Sequence, residues 1–191
     1  MLVLAACVLA LLSPIIVGRW PAGLLLHKWR WPWLVWVVLI LQAIVLQAPM
    51  PKPIAASAHV ATYAAALGFL WLNRHVPGVY FVAAGAFSNG LAIALNGGTL
   101  PASAEAVEKA GLTRDMEFAN SAVLEDPVLL FLGDIFAWPA PLPLANTFSV
   151  GDVLIVVGAA VAAWTGSQRI GRAAEPVKEE GAEAETSQES G

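Results

Sequence analysis

Trp33-Leu34-Val35-Trp36-Val37-Val38-Leu39-Ile40-Leu41-Gln42-Ala43-Ile44-Val45-Leu46-Gln47 is a run of fifteen residues with no charge, no glycine and no proline. A helix built on it is apolar on every side, so it has no face suited to water. The flanks fit a lipid surrounding. Before it, Arg19-Trp20-Pro21 and His27-Lys28-Trp29-Arg30-Trp31 mix cations with indoles, as in segments that lie among headgroups. After it, Pro49-Met50-Pro51-Lys52-Pro53 cannot continue a helix and marks a tight turn.

Similar apolar stretches recur at about residues 2–17, 54–72, 77–95 and 148–164, with Asn73-Arg74-His75-Val76-Pro77 as a further short turn. A spanning helix needs roughly 17–25 mostly apolar residues, so the stretches at 2–17 and 33–47 are at the short end. Composition points the same way. The chain is 58% hydrophobic and 13% charged, against roughly 45–50% and 25% for soluble domains. The expected fold is an all-α integral membrane domain over residues 1–172, with five transmembrane helices and a long outer loop at 96–147.

Charge gives an orientation. Arg19, Lys28, Arg30, Arg74, Arg169 and Arg172 fall on one side of this arrangement, while Lys52, Lys109 and Arg114 fall on the other. Cytoplasmic loops carry the excess of Lys and Arg, so the N-terminus is expected outside and the C-terminus in the cytoplasm. The net charge of −4 belongs mostly to residues 173–191, a Glu-, Ala- and Ser-rich stretch without aromatics. That stretch cannot bury enough apolar surface to offset chain entropy and is expected to be a disordered acidic tail. The first 104 residues hold no acid at all.

The outer loop is expected to be structured. Ser103 before Ala104 to Ala110, then Gly111, has the form of a capped short helix with Glu105 near its start and Lys109 near its end. Val128 to Trp138 is apolar but too short to cross a bilayer, and Gly133-Asp134 interrupts it, so it reads as a re-entrant or interfacial segment.

Two acids stand in apolar sequence: Asp134, within Leu129 to Phe136, and Asp152, at the mouth of the last apolar stretch. An acid at mid-bilayer costs roughly 2.5–3.5 kcal/mol, which makes such residues paired or functional. Asp152 also has a structural explanation as a carboxylate at a helix N-terminus. Gly85, Asn89, Ala92 and Asn96 follow helical spacing and give one small, polar face ending at the outer surface. His59 enters the third apolar stretch from the same side, and Ser149 precedes Asp152. Asp134 and Asp152 are therefore the candidate catalytic groups, and Asn89, Asn96, Ser149 and His59 the candidate binding groups.

Asn96-Gly97-Gly98-Thr99-Leu100-Pro101, Leu132-Gly133-Asp134 and Asn146-Thr147-Phe148-Ser149-Val150-Gly151-Asp152 together resemble an uncharacterised bacterial polytopic membrane protein family. That resemblance implies the bacterial cytoplasmic membrane. Residues 85–158 also resemble the catalytic end of lipoprotein signal peptidase, a membrane aspartic peptidase. Its second catalytic Asp stands in Phe-Asn-x-Ala-Asp-x-x-Ile-x-x-Gly, which Phe148, Asp152, Ile155 and Gly158 match; its first, a little under twenty residues earlier, corresponds to Asp134. Gly85-Ala86-Phe87-Ser88-Asn89 is similar to its Gly-Ala-x-x-Asn. Ser149 departs from the pattern, and the peptidase has four helices. The resemblance implies Asp134 and Asp152 as an acid/base dyad, Asn89 or Asn96 positioning a scissile carbonyl, and a membrane-protein or lipidated-peptide substrate.

Other classes find little support. A single cysteine, Cys7, builds no intramolecular disulfide, and one histidine near the acids argues against a multi-histidine zinc site, so no cofactor or metal is expected. There is no phosphate-binding glycine motif and no basic patch for nucleic acid. Two alternatives to the peptidase remain: Asp and Asn residues that are purely structural, or a module that binds or transports a cation or small polar ligand.

Overall fold

A computed structural model of the chain describes residues 1–47, 51–112 and 121–169. The acidic stretch 173–191, Arg114, Arg172 and, in the Pro49 turn, Pro49 and Met50 lie outside the described residues. The described part is mostly helical: α1 (Leu2–Ile16), α2 (Ala22–Leu25), α3 (Trp33–Gln47), α4 (Lys52–Leu72), α5 (Val79–Leu95), α6 (Ala104–Lys109) and α7 (Val150–Thr165). One of these, α4, is long and apolar enough to cross a membrane; α1, α3, α5 and α7 are apolar and shorter.

Helix α7 packs most extensively on α5, with α1 on its other side, while α4 joins α5 to α3. Glycines allow the α5–α7 approach. A Cβ on Gly158 would stand 2.7 Å from the Gly78 carbonyl oxygen and 2.8 Å from the Val82 nitrogen, and one on Gly85 would overlap the Gly151 carbonyl. With no side chain between them, the two backbones come close enough for dispersion contacts along the whole crossing. Next to this contact, Ala92, Ile93 and Leu100 form a buried cluster, flanked by Val60, Tyr63 and Leu132.

The helix ends are tied in two groups. At one end, β1 (Arg19–Trp20) pairs antiparallel with β6 (Gln168–Arg169), and the Arg19 guanidinium donates to the Ser167 hydroxyl and carbonyl at 2.8 Å each. Asn73 reaches the same end, accepting from the Arg30 amide at 2.9 Å and donating to its carbonyl at 3.1 Å. At the opposite end, His59 Nδ1 donates to the Gly98 carbonyl at 2.8 Å, and Asn96 both donates to the Val128 carbonyl and accepts from its amide at 2.8 Å.

Residues 128–138, expected to be a re-entrant or interfacial segment, form a short turn and one strand of a hairpin. Leu130–Leu132 makes a single 3-10 turn, and β4 (Phe136–Trp138) pairs antiparallel with β5 (Asn146–Phe148) as a hairpin. Phe136 and Phe148 stack at 5.4 Å between centroids, and the Trp138 indole donates to the Pro143 carbonyl at 3.0 Å. Cross-strand aromatic pairing and backbone bonds satisfy this apolar stretch without a helix. Upstream, β2 (Leu100–Pro101) pairs in parallel with β3 (Ser121–Ala122), and α6 follows Ser103 without the side-chain cap bond expected there.

Candidate functional site

Asp152 occupies the third position of α7, where its own sequence neighbourhood fixes it. The Ser149 hydroxyl accepts from the Asp152 amide at 3.0 Å, and Asp152 Oδ2 accepts from the Ser149 amide at 3.0 Å, a reciprocal capping box. From α5, Asn89 Nδ2 donates to Asp152 Oδ1 at 2.9 Å, and Asn89 Oδ1 accepts from the Ser149 hydroxyl at 2.9 Å. These three side chains therefore close a ring of bonds across the α5–α7 contact. Gly151 is part of it, because a Cβ there would collide with Asn89 Oδ1.

Asp134 is set by its backbone. Its amide donates to the Pro101 carbonyl at 2.9 Å, and its carbonyl accepts from the Ser103 amide at 3.0 Å. Gly133 beside it lies so close to the Pro101 carbonyl that any side chain would overlap it. The carboxyl group is buried, with 6% exposure; Thr147 donates to Oδ2 at 3.1 Å, while Oδ1 has no partner among the described residues. A buried polar atom left unpaired is rare and costly. Burial, reinforced by the negative charge of Asp152, pushes the carboxyl up to about 6, only partly offset by the hydroxyls of Ser121 and Thr147.

Both acids line one cavity of about 390 Å³, together with Tyr63, Asn89, Ser121 and Thr147. A second, apolar cavity of about 410 Å³ adjoins it between α1, α7 and the β4–β5 hairpin, and Val3 and Asp152 line both. The structure thus brings Asp134, Asp152, Asn89 and Ser149 together. His59 and Asn96 stand apart from this chamber. The His59 ring spans Gly98 and Gln42, whose amide lies 3.4 Å from Nε2, and Asn96 holds the segment at Val128 to the end of α5. Tyr63, Ser121 and Thr147 were not singled out in the sequence. Tyr63 follows His59 by one helical turn, a spacing that carries it to the same face; nothing local marks Ser121 or Thr147.

Over 94 residues the chain is 35% identical to an uncharacterized protein of Thermotoga maritima, an alignment covering 48% of this chain and 53% of that one. The chain thus matches about half the length of that relative. No solved structure matches it. The model of a family of unknown function, DUF5317, matches residues 27–164, a stretch that runs from before α3 to the end of α7 and contains the whole Asn89, Asp134, Ser149 and Asp152 group, and the chain belongs to that family.

Proposed function

We propose that the protein is a multi-pass protein of the bacterial cytoplasmic membrane whose outward chamber uses Asp134 and Asp152 as an acid/base pair for hydrolysis, in the manner of a membrane aspartic peptidase. The membrane part of this reading is supported by apolar surface. Leu9, Ile16, Trp36 and Phe87 are 69%, 87%, 68% and 57% exposed on helices that bear almost no charge. A water-soluble chain rarely leaves contiguous apolar surface on this scale. A fifteen-residue helix is about 23 Å long against a hydrocarbon core of about 30 Å. Flanking indoles at Trp20, Trp29, Trp31 and Trp33, together with local thinning, accommodate that shortfall.

The observation that carries the catalytic reading is one cavity lined by two carboxyl groups in unlike surroundings, one of them with a buried oxygen that has no partner among the described residues. Asp152, held by Asn89, takes a proton from a water molecule as that water adds to a peptide carbonyl. Asp134, protonated, gives its proton to the carbonyl oxygen. Asp152 then gives its proton to the amide nitrogen as the C–N bond breaks, and Asp134 takes back a proton from a hydroxyl of the tetrahedral carbon, which leaves a carboxylic acid and an amine with no covalent enzyme intermediate. Two of the four or so acceptor positions of Asp152 are used by the fold, which leaves others for water. The adjoining apolar cavity offers room for the aliphatic part of a membrane-protein or lipidated-peptide substrate.

The bonds from Asn89 and Ser149 to Asp152 also favour a second reading, in which the acids only lock α5, α7 and the outer loop together. Purified protein incubated with quenched fluorogenic peptides, lipidated and not, distinguishes the two. Hydrolysis by the wild type, lost in folded Asp134→Asn and Asp152→Asn and declining as pH rises above about 6, is the expected result. Absence of cleavage across both peptide sets would leave the structural reading.

A further inference from the structure

At the basic end, away from the acid chamber, a groove of about 590 Å³ runs between α4 and α5. Its walls are apolar, chiefly Leu67, Ala83 and Phe87, and it ends at Trp71, Arg74 and Tyr80. Arg74 is held there in a defined pose. Its guanidinium lies 4.8 Å from the Trp71 ring centroid and donates one bond, at 3.0 Å, to the Trp71 carbonyl. The rest of its donor fork has no carboxylate partner among the described residues, where the one ion pair is Lys109 with Glu105. Arg19, Lys28, Arg30 and Arg169 stand at the same end, so the groove's mouth is in a positive field that no described acid offsets.

We propose that this groove is a binding site for an anionic glycerophospholipid, with one acyl chain along α4 and α5 and the phosphate on Arg74. Guanidinium matches phosphate in geometry and charge, and basic pockets between spanning helices are where anionic headgroups are recognised. Tyr80, at the start of α5, brings a hydroxyl to the same mouth. The inference rests on the membrane reading above and is independent of the acid pair.

The test uses full-length protein in a neutral detergent, titrated with phosphatidylglycerol or phosphatidylcholine and read by native mass spectrometry. Phosphatidylglycerol is expected to bind roughly tenfold more tightly, a preference lost in Arg74→Gln. Gly68 lines the groove, and a Cβ there would meet nothing within 4 Å; Gly68→Leu therefore fills the groove without crowding the fold and should weaken both lipids. Lys28→Gln, which removes a charge from the same end but outside the groove, should reduce the preference much less than Arg74→Gln. A preference that survives Arg74→Gln, falls as far in Lys28→Gln, or is matched by inorganic phosphate alone overturns the proposal. Retention of the chain in carbonate-washed membranes tests the membrane reading separately.

Discussion

At Asp134, burial and a neighbouring carboxylate act in the same direction. The folded carboxyl titrates at about 6 and the ordinary value is 3.8, so between those pH values the folded chain keeps a proton that the unfolded chain has lost. Stability from this group is complete below pH 3.8 and is lost as pH rises through 6, a difference on the order of 3 kcal/mol. Asp134→Asn does not titrate. In detergent it should unfold at a higher temperature than the wild type at pH 7, with the gap closing at pH 4. A wild-type midpoint that stays flat over that window, or a variant less stable at pH 7, contradicts the account. The sequence made Asp134 and Asp152 conspicuous because each interrupts apolar sequence. The capping box of Ser149 and Asp152 was not read there, although its spacing stands in the sequence. The environment of Asp134 was not legible, since Pro101, Ser121 and Thr147 reach it from three separate segments.

Elements were legible in proportion to their length. Uninterrupted apolar runs identified α1, α3, α4, α5 and α7 to within a few residues, because a long run has one economical conformation when water is excluded. Strands of two or three residues have too few positions to display alternation, so β1 to β6 left no trace in the pattern. Glycines were ambiguous for another reason: their packing role depends on what faces them. Gly158 faces the Gly78 carbonyl at a built Cβ distance of 2.7 Å, whereas Gly68, toward the C-terminal end of α4, faces open space. Opposite effects are therefore expected. Gly158→Ala forces α5 and α7 apart and should cost about 1–3 kcal/mol, while Gly68→Ala should be neutral or stabilise by up to about 1 kcal/mol through helix propensity. Thermal midpoints of the two variants check this, and equal shifts would mean that the α5–α7 contact is looser than described.

Across the whole molecule, the ties between helix ends sort the charges into two poles. Arg19, Lys28, Arg30, Arg74 and Arg169 share the end closed by β1 and β6, which holds no described acid. Lys52 and Lys109 share the other end with Glu105, Glu108, Glu125, Asp126, Asp134 and Asp152. Topology follows the basic residues of short loops and depends little on the acids. The basic pole should therefore face the cytoplasm and the acid chamber the outside. Because Cys7 is the sole cysteine, Cys7→Ser provides a thiol-free background for mapping. In intact cells a membrane-impermeant maleimide should label Glu105→Cys, on the exposed face of α6, and should reach Gln168→Cys only after lysis. Labelling of Gln168→Cys alone would invert the orientation and turn the chamber toward the cytoplasm. Labelling of both in intact cells would mean that the helices do not separate two compartments, and the membrane reading, with the phospholipid site that rests on it, would fall.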